Sequence, residues 1–557
     1  MRRIRRLVAL TLFCATAAAQ ASGTDTPASK APATKTPAAN TPAGNTPAGI
    51  DPAGIRGTLI LGGGGGLPDQ IYQRFVELAG GAQGHIVLVP TASSRADTEA
   101  GRTRTLERWQ QAHPGISFSL LHTRDRSEAD REDFCAPLKA ATAIWFGGGS
   151  QQKIADAYLG TRFETEVHAL LARGGVVGGS SAGTAIQTRT MIAGGMDPPR
   201  LSQGLDLVPM AIADQHFLKR KRLPRLIRAL QLRPGHFGLG IDEGTAVVIR
   251  GRDVRVLGRS EALFVLAASE GKEQRTVRLK AGERTDLVTW QRAARQRATG
   301  PWPPEQLPKP IVANGTVMLG GGGRLPRSVF ERFVALAGGK QARIVVAPTA
   351  TPRRDGERED RMAALMKRIG VADVYVLQPR HPSEVRQVHV DKLDRATGVW
   401  FGGGRQWRTV DAFEGTEVVA ACHRVLQRGG VIGGSSAGAT IQGELLVRGN
   451  PLGNSDMWCE GYDRGFAFLP GCAVDQHFVV RKRLKDLQEV IGLCPQVIGI
   501  GVDEGTCAVV SGSTLEVIGA SKVAIVDVRN DYGFLIPPKW LEPGDRWDLA
   551  KASKAKE

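Results

Sequence analysis

Two short stretches carry side chains able to make and break bonds. Residues 174–187 read GGVVGGSSAGTAIQ, and residues 429–442 read GGVIGGSSAGATIQ. In each, an apolar run leads into glycines, a serine, Ala-Gly and a helix-like start. G-x-S-x-G between a strand and a helix is a nucleophile elbow, a tight turn that lifts the serine hydroxyl clear of its neighbours and tolerates only small flanking residues. The candidate nucleophiles are Ser181 and Ser436. The next backbone N–H, of Ala182 or Ala437, opens the helix and can stabilise an oxyanion.

A serine needs a base that titrates near neutral pH, and the base needs a carboxylate to fix its tautomer. Each elbow is followed by D-Q-H-F, at 214–217 and 475–478, and then by D-E-G-T, at 242–245 and 503–506. The His-to-Glu spacing is the same in both copies; the Ser-to-His spacing is not. The chemistry these residues support is nucleophilic hydrolysis by Ser181–His216–Glu243 and Ser436–His477–Glu504. Spacing alone leaves Asp242 open as an alternative to Glu243. The order Ser…His…acid differs from the Ser…acid…His order of α/β-hydrolases, which argues against an ordinary lipase or esterase.

Basic residues follow each histidine: Arg220, Lys221, Arg222 and Arg225, then Arg481, Lys482 and Arg483. Guanidinium groups beside the base suit substrate carboxylates, which they bind in bidentate fashion. Asp486 stands where the first copy has Arg225, so the two sites should not be equivalent. The glycine run at 62–66 does not fit a dinucleotide fingerprint, since Leu67 or Pro68 replaces the third glycine. Neither glycine run has the Lys-Ser/Thr of a P-loop. Its fitting role is close backbone approach to a substrate. One N–H of the run, taken as that of Gly63 with Gly321 as its counterpart, is the expected second oxyanion donor.

These residues need a scaffold, and the sequence writes it twice. Residues 58–62 (TLILG) match 316–320 (TVMLG), 86–92 (IVLVPTA) match 344–350 (IVVAPTA), and 144–149 (IWFGGG) match 399–404 (VWFGGG). Unalternating β-branched runs alternate with helical stretches, which predicts a buried, mostly parallel sheet with helices on both faces. The functional loops fall at the carboxyl ends of the strands, where such sheets bind ligands. At 557 residues the chain is too long for one core. The expected division is an export signal at 1–21, a disordered Thr/Pro/Ala/Gly spacer at 22–54, a first unit at 55–300, a Pro-rich linker at 301–312 and a second unit at 313–550.

The start of the chain, MRRIRR followed by an apolar run and Ala19-Gln20-Ala21, fits a cleavable secretory signal. It predicts a periplasmic or secreted protein. No other apolar run is long enough to span a bilayer. The formal charge of +18 is scattered over both halves without a zinc-finger or RNA-binding signature, which speaks against a nucleic-acid partner. Of seven cysteines, Cys14 lies in the signal; Cys459 and Cys472 would close a short loop if an exported chain oxidised them, although pairing is not deducible from sequence. No cysteine spacing suggests zinc.

The G-G-x-S-A-G elbow, D-Q-H-F with spaced arginines, and I/V-D-E before a late strand resemble the serine-peptidase family of cyanophycinase and aspartyl dipeptidase. The resemblance covers both units. It implies two tandem flavodoxin-like α/β sandwiches, related to class I glutamine amidotransferases, and Ser–His–Glu catalysis without metal or cofactor. It implies hydrolysis of cyanophycin, a poly-aspartate carrying arginine on each β-carboxyl, to β-aspartyl-arginine dipeptides. Dipeptidase activity on Asp-containing or isoaspartyl peptides is the neighbouring alternative; a non-catalytic protein that holds an anionic polymer is the alternative outside enzymes. The F-G-G-G-x-Q loops resemble the family's substrate loop and point to Gln151 and Gln406. The same pattern implies substrate binding by Asp214, Gln215, Arg220, Arg222 and Arg225, and by Asp475, Gln476, Arg481 and Arg483. Family members resemble homodimers of one unit, so the duplication implies an intramolecular pseudo-dimer.

Overall fold

The first half is built on a sheet whose central strands are apolar on both faces. Strands β1 (Ile55–Gly62), β2 (His85–Val89), β3 (Ser117–Leu120), β4 (Ala143–Phe146) and β5 (Val176–Ser180) lie parallel in the order β3-β2-β4-β5-β1. Leu59, Ile60, Leu61, Ile144 and Val177 are fully buried. Burial on both faces is what an unalternating run of Val, Ile and Leu requires, and helices cover both sides. Beyond β1 the sheet turns antiparallel through Thr245–Gly251, Asp253–Gly258 and Arg284–Asp286.

A second, smaller sheet sits beside the first. It contains Ala211–Gln215, Phe237–Ile241, Glu261–Leu266 and Arg275–Lys280. Its first two strands are parallel, with Gln215 opposite Ile241. The residues just past those strands, His216 and the Asp242-Glu243 pair, therefore emerge side by side.

The second half repeats this plan. Val312–Gly320, Arg343–Ala347, Asp373–Val376, Gly398–Phe401 and Val431–Ser435 form the same parallel order, and Leu469–Gln476 pairs with Ile498–Val502 in a second sheet. The fold is thus α/β throughout, two tandem sandwiches with mostly parallel main sheets. This computed structural model describes residues 49–352, 360–529 and 537–551. The signal at 1–21, with Cys14, and the spacer up to residue 48 lie outside the described residues. Among the described residues no helix is long and apolar enough to cross a membrane. Cys459 and Cys472 are buried and are not joined to each other.

Residues 50–557 form one compact unit, and the halves meet within it through faces that are not equivalent. Arg252 follows the strand Thr245–Gly251. It donates to Asp286 of its own half at 2.5 and 3.0 Å, and to Asp411 and Tyr462 of the second half at 2.7 Å each. Its guanidinium also lies 4.5 Å from the centre of the Trp407 ring. Arg292, buried on the helix Leu287–Arg297, reaches Gly461 O at 2.7 Å and Glu414, while Arg297 binds Glu460 at 2.6 and 3.1 Å. A twofold would require the mirror contacts as well. Among the described residues the counterpart of the Arg252–Asp411 contact is not formed: Asp156, which stands in the first half where Asp411 stands in the second, accepts from Gln152 of its own helix at 2.8 Å. The contact through Arg252 is therefore made from one half only. The Pro-rich linker is packed down too, with Trp302 Nε1 donating to Asp463 O at 3.2 Å and Gln496 donating to Pro304 O at 2.9 Å.

Arg252 is the cation that both Asp286 and Asp411 need. Breaking a buried, hydrogen-bonded ion pair by removing one partner leaves an uncompensated charge and costs about 3–5 kcal/mol. Arg252→Ala is expected to lower unfolding free energy by an amount of that order, read from denaturant midpoints; Arg255→Ala, an exposed arginine on the same hairpin, is expected to leave it unchanged.

Candidate active site

The elbow is as tight as its residues suggest. Ser181 has φ 56° and ψ −109°, and Ser436 has φ 54° and ψ −118°, a strained conformation for residues with a side chain. A Cβ on Gly179 would stand 2.3 Å from Gly183 O, and one on Gly183 would stand 2.1 Å from Phe146 O. Those two glycines are therefore steric requirements of the turn. The Ser181 N–H donates to Gly62 O at 2.9 Å, which ties the elbow to the end of β1.

Around this tip the structure brings together the residues proposed from spacing. Ser181 Oγ lies 2.9 Å from His216 Nε2, and His216 Nδ1 lies 2.7 Å from Glu243 Oε1. In the second half Ser436 Oγ lies 2.9 Å from His477 Nε2, and His477 Nδ1 lies 2.5 Å from Glu504 Oε1. The alternative left open by spacing is resolved by hydrogen bonds. Asp242 turns away from the imidazole and accepts the N–H groups of Leu218 and Lys219 and the Ser260 hydroxyl. Burial opposes its ionisation, but these donors outweigh burial and hold its carboxyl below the usual carboxylate range. Asp503 does the same for Val479, Val480 and Ser521. The aspartate shapes the loop that presents the histidine; the glutamate faces the ring.

The glycine run forms the roof. A Cβ on Gly64 would stand 2.5 Å from His216 Cε1, and one on Gly65 would stand 2.4 Å from the Glu243 carboxyl carbon. Gly322 and Gly323 stand in the same way over His477 and Glu504. The expectation that Gly63 and Gly321 supply oxyanion donors is corrected here. The Gly63 N–H donates to Thr245 O and the Gly321 N–H to Thr506 O, each at 2.9 Å, so both are held by the strand pairing. Among the described residues no backbone acceptor takes the Gly64 or Gly322 N–H, or those of Ala182 and Ala437.

Of the expected substrate ligands, several are taken up by the fold. Asp214 is fully buried and is gripped by Arg225 through both carboxylate oxygens. Arg222 also donates to Asp214, and to the carbonyl and side-chain oxygens of Gln215 at 2.7 and 3.0 Å. Asp214 and Arg225 thus support the histidine loop from beneath and are withdrawn as substrate ligands, because a buried carboxylate holds its cations. Asp475 is withdrawn on the same ground: it is fully buried beneath Arg483, which repeats the contacts of Arg222. Gln151 Nε2 donates to Ile192 O at 2.6 Å, and Gln406 Nε2 donates to Val447 O at 2.9 Å, fixing the F-G-G-G loops against the chain after each elbow. Arg220 and Arg481 are exposed beside the histidines.

One residue escaped the sequence reading. The second half lacks Arg225, having Asp486 there, yet Asp475 still has two guanidiniums. The second comes from Arg448, which donates to Asp475 at 3.0, 3.1 and 3.2 Å and to Asp486 at 2.8 Å. By the shared glutamine contacts, Arg448 stands where the first half has Ala193. The signal was present in the internal repeat: alanine-with-arginine in one copy, arginine-with-aspartate in the other.

Burial pushes the His477 imidazole below the ordinary histidine value; the Glu504 hydrogen bond opposes this, while Arg481 and Arg483 add to it. Its neutral, proton-accepting form therefore persists to lower pH. Among the described residues no cluster of three or more His, Cys, Asp or Glu side chains could hold a metal ion.

Comparison with known proteins gives two matches to one family description. Peptidase family S51 matches residues 59–257 and again 316–518. A cyanophycinase of Geminocystis herdmanii is 32% identical over 205 residues, covering 35% of this chain and 74% of that protein. A cyanophycinase of Synechococcus elongatus is 32% identical over 206 residues, covering 35% of this chain and 63% of that protein. A solved peptidase from an acI-B1 Actinobacterium is 22% identical, covers 42% of this chain and 98% of its own, and superposes with a TM-score of 0.35.

Two outcomes follow from this geometry. Titration of the His477 ring by NMR should give a midpoint below that of an exposed histidine, and Arg481→Gln should raise it by removing a nearby positive charge; an unmoved midpoint in that variant contradicts the assignment. Arg448→Ala should destabilise the second half by about 3 kcal/mol and slow labelling of Ser436 by a serine-reactive phosphonate. Adding Asp486→Arg, which restores a guanidinium from the other side, should recover both.

Proposed function

The chain belongs to peptidase family S51 in both halves, and on that premise we propose that each half hydrolyses cyanophycin, or a closely related β-aspartyl peptide, through its Ser–His–Glu row. The observation that carries the reading is that row itself, present twice with matching hydrogen bonds. The likeness to cyanophycinases supports the substrate class.

The steps run as follows for the first half. Ser181 Oγ attacks the aspartyl carbonyl carbon as its proton passes to His216 Nε2. Glu243 accepts the His216 Nδ1 proton in a hydrogen bond and stabilises the imidazolium. The carbonyl oxygen, now negative, is received by the Ala182 N–H, with the Gly64 N–H as the second donor in place of Gly63. The C–N bond breaks as Nε2 protonates the leaving amine, which leaves an acyl-serine. Water then attacks the acyl carbon, giving its proton to Nε2; the ester C–O bond breaks as Nε2 returns that proton to Ser181 Oγ, which restores the free serine and neutral imidazole. Arg220, exposed beside the histidine, is suited to a substrate carboxylate. The second half uses Ser436, His477, Glu504, Ala437, Gly322 and Arg481 in the same roles. The basic, apolar and small-residue sequence of residues 1–21 supports export, so that the polymer is met outside the cytoplasm.

Release of β-aspartyl-arginine from purified cyanophycin tests the reading. Ser181→Ala and Ser436→Ala should each remove the share of turnover carried by one half. The double variant should fall by a factor of 10³ or more, an order-of-magnitude expectation for loss of an activated nucleophile. Activity on free aspartyl dipeptides with none on the polymer would replace the polymer reading by a dipeptidase.

A further inference from the structure

The first half carries a groove outside the site just described. Its volume is about 1010 Å³, and it runs between the helices Asp69–Leu78 and Glu99–Ala112. The floor is aromatic: Tyr72 stands edge-on to Trp109 at 5.4 Å and lies 5.3 Å from Trp145. The wall is cationic, lined by exposed Arg95, Arg104 and Arg108 against one carboxylate, Asp69. Among the described residues none of these three guanidiniums has a hydrogen-bond or ion-pair partner. Arg104 and Arg108 are one helical turn apart, an arrangement of like charges that weakens a helix. Asp69 and Glu107 are the nearby carboxylates, and neither forms an ion pair with Arg104 or Arg108.

The groove opens at the rim that holds the serine. Pro90 and Ser93 line it, and they belong to the loop after β2. That loop is pinned to the F-G-G-G loop: the Gly147 N–H donates to Val89 O at 3.0 Å and the Ser150 N–H to Ala92 O at 2.9 Å. A Cβ on Gly148 of the same loop would stand 3.6 Å from the Cβ of Ser181. From this rim the helix Glu99–Ala112 extends for 14 residues, about 21 Å, enough to lie beside about six residues of extended chain.

We infer that this groove binds the extended, carboxylate-bearing remainder of a peptide whose end is held at Ser181. The inference rests on the peptidase reading of that site. Spaced guanidiniums receive carboxylates along the chain, and the aromatic floor receives its apolar stems. The second half is built differently here. Its counterpart helix, Arg361–Ile369, has nine residues. With the helix ends aligned, exposed Arg361 stands where Arg104 does, but Leu365 stands where Arg108 does, and Met366, fully buried, stands where Trp109 does.

The test reads binding, not turnover. The Ser181→Ala/Ser436→Ala protein is titrated with fluorescent oligo-aspartates of about three and about eight residues, one shorter and one longer than the groove. The longer probe should bind at least about tenfold more tightly, and Arg104→Glu/Arg108→Glu should abolish that difference. Equal affinity for the two probes, or a length effect that survives the charge reversal, overturns the inference. Because both arginines are exposed, folding of the variant is not at issue. A protein that shows the groove-dependent length effect but cleaves no peptide would overturn the peptidase reading alone; one that cleaves but shows no such effect would overturn the groove alone.

Discussion

A buried carboxylate beneath each histidine is the constraint on which the site depends. Asp214 and Asp475 are fully removed from water, and an ionised group in such a place must be matched by cations held in good geometry. That demand fixes the loop, because Arg222 and Arg483 also grip the backbone carbonyl just before the histidine. The imidazole is thereby set at a defined height over the serine. The two halves meet the same demand differently. One takes its second guanidinium from the helix behind the loop, the other from the chain after the elbow, and Asp486 then neutralises what Arg448 adds. What is retained between the copies is a pair of guanidiniums on the buried aspartate, not the residue that supplies the second one nor the net charge of the cluster.

This explains how much of the site was legible in the sequence. The serine, histidine and glutamate were readable because each sits in a short phrase repeated at matching landmarks. The elbow's glycines were readable for a steric reason, which the approaches at Gly179 and Gly183 bear out. Direction was not readable. Asp242 and Glu243 are neighbours in sequence; the parallel pairing of Gln215 with Ile241 brings both beside the histidine, and the donors that hold Asp242 leave Glu243 to the ring. The Gly63 N–H looked available because spacing does not reveal that β1 pairs with Thr245–Gly251 on that edge. Arg225 looked like a substrate ligand because burial is a tertiary property. That the strands preceding His and Glu form a second sheet of their own was not readable, because strand partnership is a tertiary property.

The glycine run, in turn, is explained by proximity to the dyad of ring and carboxylate. Its φ values of 89° and 68° at Gly64 and Gly65 lie in the left-handed region, where glycine alone is unstrained. Any side chain there would also occupy the space of the imidazole or the glutamate. Backbone thus becomes the lining of the site, and lining of this kind offers N–H groups instead of side-chain bulk to an incoming carbonyl.

The association of the halves can be traced to the same strands. Each site is complete within its own half, so the docking of one half on the other supplies no reacting group. The two are nevertheless joined through a rigid element. Thr245–Gly251 starts immediately after the Glu243 turn, where Thr245 O holds the Gly63 N–H, and it ends at Arg252, the centre of the interface. Seven strand residues span about 23 Å, so one extended segment fixes the acid end of the first site and the ionic contact with the second half together. In the second half the equivalent strand, Thr506–Gly512, ends beside Ser513; the Ser513 carbonyl accepts the Leu549 N–H just as the Arg252 carbonyl accepts the Leu287 N–H, but a serine side chain stands where the first half has the arginine. The duplication therefore left two like sites on scaffolds whose outer ends share a backbone contact with their own half and differ in one side chain, Arg252, which reaches across to Asp411 and Tyr462.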